Sequence, residues 1–379
     1  MSELDLGLKV ASRRLLWRMG YSTRLDVQLR GVGSGNVETA RSGSGRNRRT
    51  SAPEAFTDLD VLGITMTGGF QLQSAIVDCK TTLKGSTARM FWVRGVADFF
   101  AADAAYMVRD RDVSDAARQL TSRLRIAALT SQDLARLESL HDSPLLLDSE
   151  PLSWLFNVEK AAAALAAFNG LDRRLKPLLE YREFNYWLFD EYRNPLQLVE
   201  HLRAAAGVLD PRIPQHLALV LDSAWLYLTT ISHAVAAVRA AHVGDPDRGL
   251  QEYLFGGPSG LHEKQELSRL LDGLRKTGAL PEEVHVDPLP IYYPLLRELL
   301  MRVMRRPDSV LSALRLLELL TTVTALGQRL HSPDEMGGLY EELAAKQAAD
   351  VVGFLVAAAN LDNGFKTRAR SLLLGEPVN

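Results

Sequence analysis

Cysteine is almost absent from this chain of 379 residues, where Cys79 stands alone. One cysteine excludes an internal disulfide framework and a cysteine-built zinc site. It fits a reducing compartment, and a cytoplasmic protein is expected. An apolar leader is lacking too. The sequence opens Met1-Ser2-Glu3 with no apolar run behind basic residues, so no signal peptide is expected. Long uninterrupted apolar runs are also missing. The most apolar stretch, from about His216 to Ala241, is broken by Asp222, His233 and Arg239, and reads as a buried helix rather than a membrane span. The eight histidines are scattered without metal-ligand spacing. No P-loop, dinucleotide glycine fingerprint or serine-hydrolase elbow occurs.

What is present is ordinary for a globular protein: 46% hydrophobic and 24% charged residues, with length enough for two or three domains. The net charge of −2 hides an asymmetry. Residues 1–135 carry 19 Lys+Arg against 14 Asp+Glu, and the remainder 25 against 32. A basic module joined to an acidic one suggests that only the first meets a polyanion.

Periodicity divides the chain at the same place. Residues 6–19 read as an amphipathic helix stopped by Gly20, and 21–30 alternate as a strand. A Gly/Ser-rich loop at 31–53 carries Arg41, Arg46, Arg48 and Arg49. Strands at 57–66 and 70–80 flank Gly68-Gly69; a helix at 86–102 and a short strand AAYMVRD follow. A helix capped by Ser114, a strand IAALTS and a helix that Ser131 can cap complete the series. This order, α-β-β-β-α-β-α-β, describes an α/β domain on a mixed central sheet flanked by helices. Past residue 136 only helical periodicity remains, and an all-α domain, or two small ones, is expected over 136–379.

The chemistry gathers on two adjoining strands. Asp58 and Asp60 share one side of their strand, and Asp78 and Lys80 share one side of the next. Strands disfavour aspartate, and clustered like charges repel, so something must compensate. A divalent cation would do so. Mg²⁺ takes oxygen ligands and keeps waters, so two carboxylates suffice from the protein. Such an ion can polarise a phosphodiester and activate a water, with Lys80 orienting that water or offsetting transition-state charge. Register is the condition. A strict two-residue turn at Gly68-Gly69 would place Asp60 opposite Val77 and the two aspartates on opposite faces. The site therefore requires one residue of register change near the glycines, through a bulge or a longer loop.

Asp60 followed by Asp78-Cys79-Lys80 resembles the PD-(D/E)XK nuclease superfamily, with its restriction-endonuclease-like fold, over residues 6–135. Its motif is an acid on one strand and (D/E)-X-K on the next. The resemblance implies a Mg²⁺-dependent phosphodiester hydrolase, with Mn²⁺ able to substitute. Asp60 and Asp78 would be its metal ligands and Asp60, Asp78 and Lys80 its catalytic core. DNA is favoured as substrate, in bacterial restriction, repair or defence. Many relatives add a glutamate from the first helix. None occurs between Leu6 and Met19, and Asp58 is the possible replacement. The alternatives are a non-catalytic nuclease-fold scaffold and an RNA-cutting effector.

Other features carry two readings each. Arg41, Arg46, Arg48 and Arg49 either contact phosphates or form a surface insertion. Cys79 is expected in the core, Phe91 and Trp92 in helix packing, and Arg89 and Arg94 on a solvated helix face. The aromatic segment EYREFNYWLFDEY is expected to be a helix packed on two sides, or else a partner-binding surface. No membrane association is expected, and a protein partner for the helical part remains an open reading.

Overall fold

The computed structural model describes residues 3–30, 55–68, 70–81, 85–142, 145–188, 190–279, 281, 287–330 and 333–376. The arginine-rich loop, with Arg41, Arg46, Arg48 and Arg49, lies outside these residues.

The first part runs α1 (Glu3–Arg18), β1 (Ser22–Arg30), β2 (Ala55–Thr67), β3 (Gln71–Lys80), α2 (Ser86–Phe100), β4 (Ala104–Arg109), α3 (Asp115–Leu124), β5 (Ile126–Thr130) and α4 (Ser131–Leu140). The five strands form one mixed sheet in the order β1-β2-β3-β4-β5. β1, β2 and β3 are antiparallel neighbours, while β4 and β5 join in parallel. Each parallel step needs a crossover, and α2 and α3 supply them.

Local chemistry explains the element ends. Gly20, at a φ of 93°, takes the left-handed turn that closes α1. The Ser114 hydroxyl accepts the Ala117 N–H and starts α3 as expected. The last cap differs from expectation. Thr130, not Ser131, caps α4, forming a reciprocal capping box with Asp133. Gly63 leaves room for α1, because a side chain there would press on Leu16 and Tyr21 at 3.0 Å.

The rest is helical among the described residues: α5 (Val158–Ala166), α6 (Lys176–Glu180), α7 (Tyr186–Leu188), α8 (Asn194–Ala205), α9 (Pro214–Ala241), α10 (Pro246–Leu254) and α11 (Pro258–Lys276). α12 (Tyr293–Met304), α13 (Ser309–Ala325), α14 (Glu342–Ala358) and α15 (Asn363–Leu374) complete it. α9 is long and apolar enough to cross a membrane, but 94% of its apolar window is buried within the protein. It is the central helix of the core. The aromatic segment is not one helix. A π-helical turn at Tyr181–Asn185 separates α6 from α7, and it turns Tyr181 and Tyr186 inward. Their hydroxyls reach Asn194 and Thr230 at 2.8 and 3.0 Å.

Both sheet faces are covered. On one, Val61, Val77, Cys79 and Val108 pack beneath Leu8, Leu15 and Leu16 of α1. On the other, Leu62, Ile76 and Met107 join Met90 and Val93 of α2 in a core that continues into α9 and α13. Sheet and helices are tied by buried charge as well. Glu318 of α13 accepts from Arg13 Nη2 (2.7 Å), Trp17 Nε1 (3.1 Å), Ser22 Oγ (2.8 Å) and the Thr23 N–H (2.7 Å). Asp222 of α9 holds Arg24 at 3.0 Å and Arg182 at 2.7 Å. A buried carboxylate is tolerated only when so supplied with donors. The composition change near residue 136 is thus bridged by a shared core.

Candidate active site

The hairpin between β2 and β3 sets the site. Their ladder runs from Thr67↔Gln71 to Val61↔Val77, so residues 68–70 form the connection. Three residues rather than two supply the required register change. Phe70 closes the turn with a φ of 61°, its N–H donating to the Thr67 carbonyl at 3.0 Å. That backbone is strained for a phenylalanine, at about 1–2 kcal/mol. The ring is fully buried, under the Arg239 guanidinium. Burial of such a ring is worth about 1.5–3 kcal/mol, which offsets the strain.

Continued one step beyond Val61↔Val77, that register would bring Asp60 level with Asp78. Here the β2–β3 ladder ends, and the Asp60 carboxylate substitutes for backbone by accepting the Cys79 N–H at 2.7 Å through Oδ2. Lys80 Nζ lies 3.7 Å from the same oxygen. Asp60 and Asp78 are 2% and 6% exposed. Of the three residues singled out from the sequence, Lys80 lies beside Asp60, while Asp78 is held separately by Arg89 of α2.

Two cations that sequence reasoning did not place there complete the geometry. Lys9 of α1, itself buried, sits 2.7 Å from Asp60 Oδ1 and also pairs with Asp26. Arg89 of α2 grips Asp78 through both oxygens, with Nε to Oδ2 at 2.8 Å, and lies over the Trp92 ring. Arg89 is thus no solvated helix charge, whereas Arg94 pairs with exposed Asp98. Phe91 is exposed and does not pack as expected. The two aspartates are anchored from different layers, Asp60 by α1 and Asp78 by α2.

Electrostatics follow from these contacts. Burial pushes the Asp60 carboxyl above the ordinary aspartate value, while Lys9, the Cys79 N–H and Lys80 pull it back. Burial alone would lower the Lys9 pKa, yet Asp60 and Asp26 outweigh it and raise it. Burial lowers Arg109, beside Asp78 and Arg89. Cys79 packs under α1, with its sulfur near Ser12, and burial pushes its thiol up. It is a core residue with no thiolate to offer.

The helix α1 begins earlier than the sequence reading placed it, at Glu3 rather than Leu6, and so includes Asp5. Asp5 accepts from Thr81 Oγ1 at 2.9 Å, at the residue after Lys80. Asp58 lies exposed, opposite Gln28. Among the described residues no three His, Cys, Asp or Glu side chains are grouped to hold a metal. The chain itself supplies much of the charge compensation for which a divalent ion was invoked. Asp26 and Asp60 share Lys9, Asp60 lies near Lys80, and Asp78 faces Arg89 and Arg109.

Asp60 and Asp78 are the oxygen donors on which a Mg²⁺ ion would draw, the one held from the α1 side and the other from the α2 side. Two carboxylates with water completing the shell suit that ion, and Asp60 keeps lone pairs beyond those given to Lys9 and Cys79. At Asp78 a metal has to displace a guanidinium. A cavity of about 690 Å³ lies to the far side of Asp26, between β1, α5 and α13; its lining includes neither Asp60 nor Asp78. Comparison with family models, with curated proteins and with solved structures finds no match to this chain.

Proposed function

We propose that the chain is a Mg²⁺-dependent nuclease of the PD-(D/E)XK type, acting on DNA, with Mn²⁺ able to substitute. The observation that carries this reading is the register of β2 on β3. Carried one step past its last pair, Val61↔Val77, it would level Asp60 with Asp78, and Lys80 lies 3.7 Å from Asp60. The αβββαβ order of α1 to β4, with β3 and β4 parallel, supports it further.

Asp60 and Asp78 would hold the metal, which when bound supplies Lewis acidity to the phosphodiester and a more acidic water. Lys80, one-third exposed, is placed to meet charge developing on phosphate oxygens. Bacterial restriction, repair or defence is the setting that goes with this activity, in the cytoplasm, and the helical part is the place for a protein partner.

Cleavage of plasmid, linear duplex, single-stranded DNA and RNA, in Mg²⁺, Mn²⁺ or EDTA, tests the reading. Metal-dependent cutting of DNA is expected, falling about 100- to 1,000-fold in Asp78→Ala and Lys80→Ala. Cutting of RNA alone would identify an RNA-directed enzyme with the same site. One observation favours the scaffold reading, the double hold of Arg89 on Asp78. Absence of both cutting and metal binding would select it.

A further inference from the structure

β1 is an edge of the sheet and, among the described residues, pairs with β2 alone. Six successive residues of it, Thr23 to Gln28, line the cavity of about 690 Å³. That is about 17 Å of strand. β1 keeps one register on β2 from Ser22↔Ile64 to Leu29↔Thr57, and Asp26, at a φ of 54°, interrupts the ladder without shifting it. In an antiparallel pair, alternate residues turn their backbone groups away from the partner strand. Thr23 does so, since its N–H donates to Glu318 Oε2 of α13 at 2.7 Å. By the same period Leu25 and Val27 turn theirs toward the cavity. An edge of this kind accepts an added strand.

The cavity is also lined by α5, through Val158, Ala161, Ala162, Leu165 and Ala166, of which Ala162, Leu165 and Ala166 are exposed. A helix wall of small apolar residues leaves space for the side chains of an inserted segment. Charge then selects the occupant. Three arginines and five carboxylates line the cavity. The arginines are already engaged, Arg13 on Glu318, and Arg24 and Arg182 on Asp222. Glu159 of α5 is exposed and has no ion pair among the described residues. Such a lining repels a polyanion and attracts a basic chain. A polar group stands unused as well: the buried Thr321 Oγ1 of α13 has no hydrogen-bond partner among the described residues.

We propose that the cleft between β1 and α5 receives an extended, basic segment of a partner protein, which adds to the free edge of β1 as a sixth strand. Its backbone pairs with Leu25 and Val27, its apolar side chains lie along α5, and its basic side chains meet Glu159. The proposal does not rest on the nuclease reading, and neither Asp60 nor Asp78 lines the cleft.

Fluorescence polarisation of a short labelled peptide of alternating lysine and valine, titrated with the full-length protein, tests it. Saturable binding is expected, weakened roughly tenfold by Glu159→Lys and at least as much by Ala162→Trp, which fills the cleft. Both positions are exposed on α5, so thermal melting is expected to match wild type. A peptide with proline in place of alternate valines lacks the N–H groups for pairing and is expected to lose about tenfold as well. A glutamate-valine peptide should not bind. Absence of saturable binding by the lysine-valine peptide overturns the proposal, as does equal binding by the proline peptide or by Ala162→Trp. Full displacement by lysine amide would make the cleft a small-amine pocket and overturn the added strand. Oligothymidine that binds wild type but not Ala162→Trp would make it a nucleic-acid groove, with the same consequence.

Discussion

Single side chains decide how the candidate site is charged. Asp78 gives both carboxylate oxygens to Arg89, a charge-assisted fork that ranks among the stronger side-chain contacts. A metal must compete with that guanidinium, which is itself steadied on Trp92. Arg89→Met keeps the stem over the ring and removes the competitor. Half-maximal cleavage is therefore expected at roughly tenfold lower Mg²⁺, about 1.4 kcal/mol of relieved competition. A higher Mg²⁺ requirement in a metal titration of the rate would show that Arg89 orders Asp78 instead. None of this was visible in the linear sequence, since Arg89 follows Asp78 by eleven residues and belongs to another element. Lys9 and Asp26 were hidden for the same reason. Only the folded register brings them against Asp60.

At the scale of the element, one residue of loop length sets the site. Residues 68–70 connect Thr67 to Gln71, and with two residues there Asp60 would slide to face Val77. Deleting Gly68 should therefore abolish metal-dependent cutting while leaving secondary structure in place by circular dichroism. Retained cutting would mean that the register does not carry the site. The hairpin also shows what a sequence can tell. Alternating apolar residues and the acids on β2 and β3 made the strands and the need for a register change legible. The φ of 61° at Phe70 was not, because phenylalanine gives no local signal for a left-handed turn. Its reason is tertiary, a ring buried beneath Arg239 of α9. The same holds for the break in the aromatic segment, where periodicity suggested one helix and packing on α8 and α9 imposed a π turn.

Across the whole molecule, buried carboxylates on α9 and α13 join the sheet to the helices. Burial alone would raise the Asp222 carboxyl, but Arg182 and Arg24 outweigh it and hold it below the usual value of 3.8. A folded-state value below the unfolded one stabilises the fold above the unfolded pKa, and that contribution is lost as pH falls through the folded one. Asp222→Asn leaves two guanidiniums without their shared partner. It should cost about 3–5 kcal/mol at neutral pH and flatten the acid limb of stability. Denaturant unfolding between neutral pH and pH 3 reads both effects, and an unchanged acid limb would show that Asp222 is not the group responsible. The sequence suggested two modules from charge and periodicity. It could not show that Glu318 and Asp222 reach back to residues 13–24, because contacts separated by some two to three hundred positions leave no local pattern.

The central claim is that Asp60, Asp78 and Lys80 form a metal-dependent phosphodiester-cleaving site. Plasmid cleavage in Mg²⁺ against EDTA, by wild type beside Lys80→Ala, bears on it most directly. The account predicts cutting by wild type in Mg²⁺ alone and its loss in the variant. Cutting that persists in Lys80→Ala, or that ignores EDTA, would contradict it.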